Sequence, residues 1–325
     1  MTLHRGTDTA VGRTLYRSSD MPVGRTLGVD GFALLPAFAS PPELTALRAA
    51  VARHLDASHE GACERPHNTL LPLRWDDPIV ELLLGEPSRV ATICEATAAN
   101  DLRWISGYVS VKEPHTPPLW WHQDWWCWDH DVSFATAPPQ VALLLYLGDT
   151  DRMNGALRVL PGSHRRSAPI HALLPEAHGS HADRLDPGHP ALADLPGQET
   201  PPLRAGDAAV LDYRLLHGTH ANASRLRRDA LLLTFTPSWR DLPEDVRGHL
   251  IDHPALPTEH EAPPTGSWGA RLLPRFDGRR TTLPVNRNAP KTFAVDVEPH
   301  GTPMRPVHED APAVRPHPHQ NAASR

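Results

Sequence analysis

Lysine, cysteine and long apolar runs are all scarce in this chain of 325 residues. Only Lys112 and Lys291 are lysines, and the arginines are scattered, so no basic patch typical of nucleic-acid binding is visible. Cys63, Cys94 and Cys127 form no CxxC pair. This pattern argues against a disulfide framework or a zinc ribbon and favours a reducing, cytoplasmic location. The chain has neither an apolar signal segment at its N-terminus nor a run long enough to cross a membrane.

Glycine-rich nucleotide motifs are also missing, since the chain has neither G-x-G-x-x-G nor a P-loop. Proline is abundant instead, with 36 residues. Proline interrupts helices and central strands, so a helical bundle or coiled coil is excluded. The hydrophobic fraction of 40% is enough for a core and excludes wholesale disorder.

The order of helical and strand patterns predicts a mainly β fold with peripheral helices. Ser40-Pro41-Pro42-Glu43 is a capping box that opens a helix, and residues 76–100 suggest a second helix broken near Pro87. Short strands separated by turns follow within 102–113, 141–149, 156–164, 203–222 and 227–239. This pattern predicts a β-sandwich or a jelly roll with a helical layer.

Composition also divides the chain. Residues 1–28 lack periodicity and are predicted to be an N-terminal arm. Residues 29–298 are predicted to form the folded domain, with an insert rich in Pro, His, Ala and Asp at 165–202. Residues 299–325 are predicted to be a disordered tail.

The segment PLWWHQDWWCWDHD carries the clearest chemical signal. His122 and Asp124 are two residues apart, so a strand would project both side chains from one face. An imidazole and a carboxylate are two members of the 2-His-1-carboxylate set that binds non-haem iron. His217 and His220 are candidates for the third ligand, although an H-x-D can arise by chance among 21 histidines.

The sequence resembles the phytanoyl-CoA dioxygenase (PhyH-like) family of Fe(II)/2-oxoglutarate-dependent oxygenases. The resemblance covers residues 30–236 and rests on DGFALLPAFASPPEL, WHQD, LYLGDTDRMNGALRVLPGSH and LRAGDAAVLDYRLLHGTHANAS. It implies a double-stranded β-helix, a cupin-like jelly roll whose mouth holds the metal. It also implies Fe(II) as cofactor and 2-oxoglutarate and O2 as cosubstrates.

The resemblance also implies roles for particular residues. In the family, an arginine eleven positions after the distal metal-binding histidine pairs with the far carboxylate of 2-oxoglutarate. Arg228 stands eleven positions after His217, whereas Leu231 stands eleven after His220. The resemblance therefore implies His217 as the third ligand and Arg228 as the 2-oxoglutarate residue, with the Thr219 hydroxyl assisting. An arginine suits this role because its planar fork matches a carboxylate.

Other polar residues receive structural interpretations. Arg225 and Arg227 are interpreted as a solvated turn, and His164 as part of a structural turn. Lys112 either touches a carboxylate or is solvated at a strand end. The histidines of the proline-rich region are interpreted as surface residues, namely His171, His178, His181 and His189.

Five of the nine tryptophans lie within 120–128, around the H-x-D pair. Burial in a core is one interpretation, because Trp is highly buried on average. The other is that some of them line the mouth of a substrate site, where aromatic walls suit an apolar polycycle or a cationic amine. The candidates for that role are Trp120, Trp125, Trp126 and Trp128.

The predicted function is an Fe(II)/2-oxoglutarate-dependent hydroxylase that oxidises a C–H bond of a small metabolite, in specialised or natural-product biosynthesis. No catalytic residue is expected beyond the metal ligands, and the partner is a small molecule rather than nucleic acid or a membrane. Two alternatives stay open: a non-catalytic binding protein of the same fold, and a zinc hydrolase with the same ligands. The intact set of His122, Asp124, His217 and Arg228 argues against the first, and the second leaves Arg228 unexplained.

Overall fold

Two antiparallel sheets and six α-helices make up the part of the chain that the computed structural model describes, residues 23–57, 63–177, 184–258 and 260–291. The helices are α1 (Val23–Asp30), α2 (Pro41–Leu55), α3 (Pro78–Leu84), α4 (Pro87–Thr97), α5 (Glu244–Leu250) and α6 (Trp268–Leu272). The strands are β1 (Phe32–Leu35), β2 (Cys63–Arg65), β3 (Asn68–Leu73), β4 (Arg103–Lys112), β5 (Leu119–His122), β6 (Val141–Tyr146), β7 (Leu157–Val159), β8 (Ala208–Asp212), β9 (His217–Thr219) and β10 (Arg228–Thr236).

The strands form a seven-stranded sheet in the order β1-β8-β6-β10-β4-β3-β2 and a three-stranded sheet in the order β5-β9-β7. We call these the major and the minor sheet. Neighbours in sequence are often not neighbours in a sheet, as in a jelly roll, where the chain alternates between two sheets. The predicted class, mainly β with peripheral helices, is confirmed.

Helices α2 and α3 each begin directly after an N-cap residue. The backbone N–H of Ser40 donates to the Glu43 carboxylate at 2.8 Å, which closes the capping box of α2. The Asp77 carboxylate caps α3 by accepting from the Ile79 N–H at 2.8 Å. The predicted break near Pro87 separates α3 from α4.

Both faces of the central strands are covered, and this sets the direction of the site residues. On β10, Leu231 and Leu233 belong to the large apolar cluster under the helices, whereas Ala230 packs in the cluster that faces the minor sheet. Alternate residues of a strand point to opposite faces. Arg228 shares the parity of Ala230, so it points between the two sheets rather than towards the helices.

The predicted domain boundaries stay predictions. Helix α1 crosses the end of the predicted arm, and Leu27 is buried in the core, while residues 1–22 lie outside the described residues. The predicted tail, 299–325, also lies outside them. The described parts of the predicted insert form short 3₁₀ turns at Pro169–Leu173 and Pro190–Leu192 and cover the minor sheet, where Ile170 packs on Trp121. Within the described residues, no helix is both long and apolar enough to cross a membrane.

Strands β2 and β3 were not predicted. Both are short, and the sequence of β3, NTLLPL, contains Pro72 and lacks clear alternation. Strand β2 is the edge strand and β3 lies between β2 and β4. The pairing with β2 covers only residues 68–70 of β3, so Pro72 is tolerated because it has no partner strand on that side.

Candidate active site

The minor sheet and the loop after β5 bring together the three side chains that could hold a metal. The antiparallel pairing of β5 and β9 places His122 directly opposite His217. Nε2 of His122 lies 3.5 Å from one carboxylate oxygen of Asp124, and Nε2 of His217 lies 3.5 Å from the other. The three candidate donor atoms lie within 4.8 Å of one another, a spacing that suits one shared cation.

Of the H-x-D pair, only the histidine lies on a strand as predicted. Strand β5 ends at His122, and Asp124 lies in the irregular segment that follows. The intervening Gln123 is buried, and its side-chain amide donates to the Arg214 carbonyl. The carboxylate therefore reaches the two histidines from a loop rather than from the regular pleat.

Both histidines are oriented by main-chain carbonyls. Nδ1 of His122 lies 2.9 Å from the Trp120 carbonyl oxygen, and Nδ1 of His217 lies 3.1 Å from the Leu215 carbonyl oxygen. A carbonyl can only accept, so each Nδ1 carries the proton and each Nε2 presents a lone pair. This is the tautomer that binds a metal through Nε2.

Burial, together with the neighbouring His122, lowers the pKa of His217 to about 4, although Asp124 opposes the shift. His217 is therefore neutral at physiological pH and able to act as a ligand. The alternative candidate, His220, points elsewhere, with its Nε2 2.8 Å from the Thr200 hydroxyl. The structure thus groups His217, and not His220, with the H-x-D pair.

A second polar group lies in the space between the sheets. Arg228 is buried, its guanidinium carbon lies 5.5 Å from the centre of the Tyr146 ring, and its Nε has no hydrogen-bond partner among the described residues. The hydroxyls of Tyr146 and Thr219 are likewise buried and without a partner there. Buried donors are normally satisfied, so the Arg228 guanidinium, whose Nε has no partner among the described residues, fits a bound carboxylate such as that of 2-oxoglutarate.

Both predicted environments of Lys112 are wrong, because its side chain is neither solvated nor paired with a carboxylate among the described residues. It is fully buried, stands opposite Arg228 in the β4–β10 register, and donates to the carbonyls of His67 and Pro117 at 2.8 and 2.7 Å. Burial and the charges of Arg228 and Arg158 lower the pKa of Lys112 to about 6. Sequence reasoning missed this because exposure depends on how the sheets close.

The expectation that the histidines of the proline-rich region lie on the surface also fails at His171. That residue is buried, and its Nδ1 accepts from the Ala168 N–H at 2.8 Å. His189 is half-buried and caps a 3₁₀ turn by accepting from the Ala191 N–H. His178 and His181 lie outside the described residues.

A cavity of about 610 Å³ opens beside the metal-binding group, with Asp124 in its wall. The wall has an aromatic part, formed by Tyr108, Trp126 and Tyr213. Its charged residues apart from Asp124 are Arg65, Asp252 and Arg287. A mostly apolar wall with a few placed polar groups is typical of small-molecule sites.

The tryptophans around the H-x-D pair divide between the two interpretations. Trp120, Trp125 and Trp128 are buried in packing clusters, and the indole N–H of Trp125 donates to the Ser133 hydroxyl at 2.8 Å. Among the candidates, Trp126 alone is in the cavity wall, where it stacks on His249 at 4.3 Å. The proposed substrate role is therefore kept for Trp126.

Sequence reasoning missed the contribution of residues 280–291, which we call the C-terminal strap. Asn286 exchanges backbone hydrogen bonds with the segment after Asp124, donating to the Trp126 carbonyl and accepting from the Trp128 N–H. Arg287 donates to the Asp124 carbonyl at 3.2 Å. No short sequence motif predicts this contact, because the strap and the H-x-D pair are far apart in sequence.

Comparison with known proteins gives three levels of similarity. The family model of phytanoyl-CoA dioxygenase (PhyH) matches residues 28–230. A probable alpha-ketoglutarate-dependent hypophosphite dioxygenase from Stutzerimonas stutzeri is 28% identical over 50% of this chain and 54% of its own length. The matched segment thus spans about half of that relative.

An ectoine dioxygenase from Nocardia farcinica is 25% identical over 63% of this chain and 74% of its own length. Among solved structures, the epimerase SnoN in complex with Fe3+, alpha ketoglutarate and nogalamycin RO aligns with a TM-score of 0.50 and 20% identity. That alignment covers 78% of this chain and 95% of SnoN, and it supports the fold alone.

Proposed function

Because the chain belongs to the phytanoyl-CoA dioxygenase family, we propose that it oxidises a C–H bond of a small metabolite with Fe(II), 2-oxoglutarate and O2. The predicted family is confirmed by that membership. The observation that carries the proposal is the convergence of His122, Asp124 and His217, with both Nε2 lone pairs turned towards the carboxylate.

In this proposal, His122, Asp124 and His217 would hold Fe(II), a ligand set that suits non-haem iron. When bound, the iron couples the oxidative decarboxylation of 2-oxoglutarate by O2 to oxidation of the substrate. The protein's own residues orient the metal ligands. The carbonyls of Trp120 and Leu215 fix the two imidazole planes, and burial keeps water from the site.

We assign the far carboxylate of 2-oxoglutarate to Arg228, with the hydroxyls of Thr219 and Tyr146 as further donors. This assignment is supported by the burial of all three side chains and by their unpartnered polar atoms. A charged donor that lacks a protein acceptor in a buried site favours an anionic ligand.

The substrate occupies the cavity next to Asp124, with Trp126 in its wall. We place the reaction in specialised metabolism, and the cytoplasmic location predicted from the cysteines stays a prediction. The volume of about 610 Å³ supports a metabolite of substantial size.

A zinc hydrolase with the same ligands is the weaker alternative. It would use the three-residue metal site but gives no role to the buried Arg228 guanidinium, which has no ion pair among the described residues. A non-catalytic protein would not need the two histidine tautomers that present Nε2 to one point.

The proposal is tested by adding Fe(II) and then 2-oxoglutarate to the protein under anaerobic conditions. We expect the weak visible charge-transfer band of the chelate, and succinate formation once O2 is admitted. A zinc hydrolase or a protein with a degenerate site would show no band. Absence of both the band and succinate would overturn the proposal.

A further inference from the structure

The cavity beside Asp124 has charged wall residues of both signs. Arg65 and Arg287 are its cationic wall residues, and Asp252 is its acidic residue besides Asp124. Asp252 forms a solvent-exposed ion pair with Arg280. Burial lowers the pKa of both His249 and His253, so these wall residues are neutral at physiological pH.

Arg287 is a cation of the cavity wall that is hydrogen-bonded to the residue carrying one candidate metal ligand. One terminal nitrogen donates to the Asp124 carbonyl at 3.2 Å, and the side chain is half-buried. Among the described residues, no carboxylate forms an ion pair with Arg287. Its guanidinium has five N–H donors in a planar fork, so most of its donor capacity remains after that one contact.

The C-terminal strap holds Arg287 in place. The preceding residue, Asn286, is bound through its backbone to Trp126 and Trp128 and through its side-chain amide to the Asp129 carboxylate at 2.8 Å. These contacts join the strap to the segment that also carries Asp124. A cation fixed in this way loses little side-chain entropy when it binds an anion.

We propose that Arg287 is a specificity-determining residue that binds a carboxylate of the substrate. This inference rests on the proposed function, because it takes Asp124 to be committed to the metal and unavailable as the partner of Arg287. The aromatic wall of Tyr108, Trp126 and Tyr213 then receives the apolar part of the same molecule. The substrate class is an amphipathic carboxylic acid with an apolar or aromatic body.

The test uses isothermal titration of the full chain loaded anaerobically with Fe(II) and saturating 2-oxoglutarate. The probes are 3-phenylpropanoate, its uncharged analogue 3-phenylpropanamide, and 3-phenylpropylammonium. Saturating 2-oxoglutarate keeps the probe acid away from Arg228. We expect the acid to bind about tenfold more tightly than the amide, with the ammonium weakest.

Three variants test whether Arg287 causes the tighter binding of the acid. Arg287→Gln should remove the difference between acid and amide, and Arg287→Lys should retain part of it because the charge remains. Arg279→Gln, at an exposed position just before the strap, is the matched control and should keep the full preference. Retention of the charge-transfer band in each variant shows that the metal site is intact.

The inference is overturned if the unaltered protein binds acid and amide equally, binds neither, or if Arg287→Gln keeps the acid preference. Failure of the proposed function gives a different result, since the charge-transfer band would then be missing before any probe is added.

Discussion

Each proposed metal-binding histidine is oriented by the carbonyl two residues before it. His122 uses the carbonyl of Trp120, and His217 uses that of Leu215. The same local contact on two paired strands gives both rings the same tautomer. At the scale of single residues, main-chain carbonyls therefore fix the orientation of both imidazole rings. A side-chain substitution elsewhere does not remove these carbonyls.

Replacing a ligand should abolish turnover. We expect His122→Ala or Asp124→Ala to eliminate both the charge-transfer band and 2-oxoglutarate-dependent succinate formation, because two remaining ligands hold iron poorly. His220→Gln is the matched control, since His220 bonds Thr200 and lies outside the metal group. Loss of the band in His220→Gln, with retention in His122→Ala, would contradict the assignment.

Arg228→Ala should act mainly on 2-oxoglutarate. A charge-assisted hydrogen bond contributes about 1.5–3 kcal/mol, so the KM for 2-oxoglutarate should rise on the order of ten- to a hundredfold. Arg227→Ala is the control, because Arg227 forms a partly exposed ion pair with Asp229. Steady-state kinetics with varied 2-oxoglutarate measures both, and an equal rise of KM in the two variants would refute the role of Arg228.

At the scale of elements, the minor sheet carries the two candidate metal-binding histidines and the described parts of the insert cover it. Trp121 on β5 donates its indole N–H to the Ala193 carbonyl at 2.8 Å. The Arg158 guanidinium of β7 lies 4.6 Å from the Trp121 ring centre and donates to the same carbonyl at 3.0 Å. The insert is therefore attached to the sheet by a cation–π contact and a shared acceptor.

Trp121→Phe should loosen this attachment. The variant loses the indole hydrogen bond, while Arg158 still satisfies the Ala193 carbonyl, so the cost should be about 1 kcal/mol. We expect faster hydrogen exchange in residues 184–202 than in the core. Trp239→Phe is the control, because its indole donates to the Arg275 carbonyl away from the insert. Unchanged exchange in 184–202 would mean that other contacts hold the insert.

At the scale of the whole molecule, buried neutral histidines make stability depend on pH. Burial lowers the pKa of His164 to about 4 and that of His253 to about 4, from 6.5. Below pH 6.5 the unfolded chain therefore binds more protons than the folded chain, and stability falls as the pH falls. The full contribution is present above pH 6.5 and is lost as the pH approaches 4.

The apoprotein should accordingly have a lower Tm at about pH 5 than at about pH 7.5, with each histidine costing on the order of 1–2 kcal/mol at the lower pH. His164→Gln should flatten the dependence, because glutamine does not titrate in this range. Thermal unfolding across this range measures the effect. A Tm that is the same at both pH values would show that these histidines do not control stability.

Local patterns predicted the features that depend on neighbours in sequence. The capping box fixed the start of α2, the proline near residue 87 separated two helices, and the resemblance pointed to His122, Asp124, His217 and Arg228. Strands β2 and β3 were not predicted because both are short and lack clear alternation of apolar and polar residues. The burial of Lys112 and His171 was not predicted, because it depends on contacts between residues far apart in sequence.

By itself, the sequence identified the family, the jelly-roll class and the residues of the candidate metal site, because these depend on residue types at fixed spacing. Only the tertiary structure decided that Trp126 rather than its neighbours lines the cavity, and that Arg287 stands beside Asp124. The physical reason is that strand register and the path of the C-terminal strap set these contacts. Residues far apart in the chain meet only after the two sheets have closed over one core.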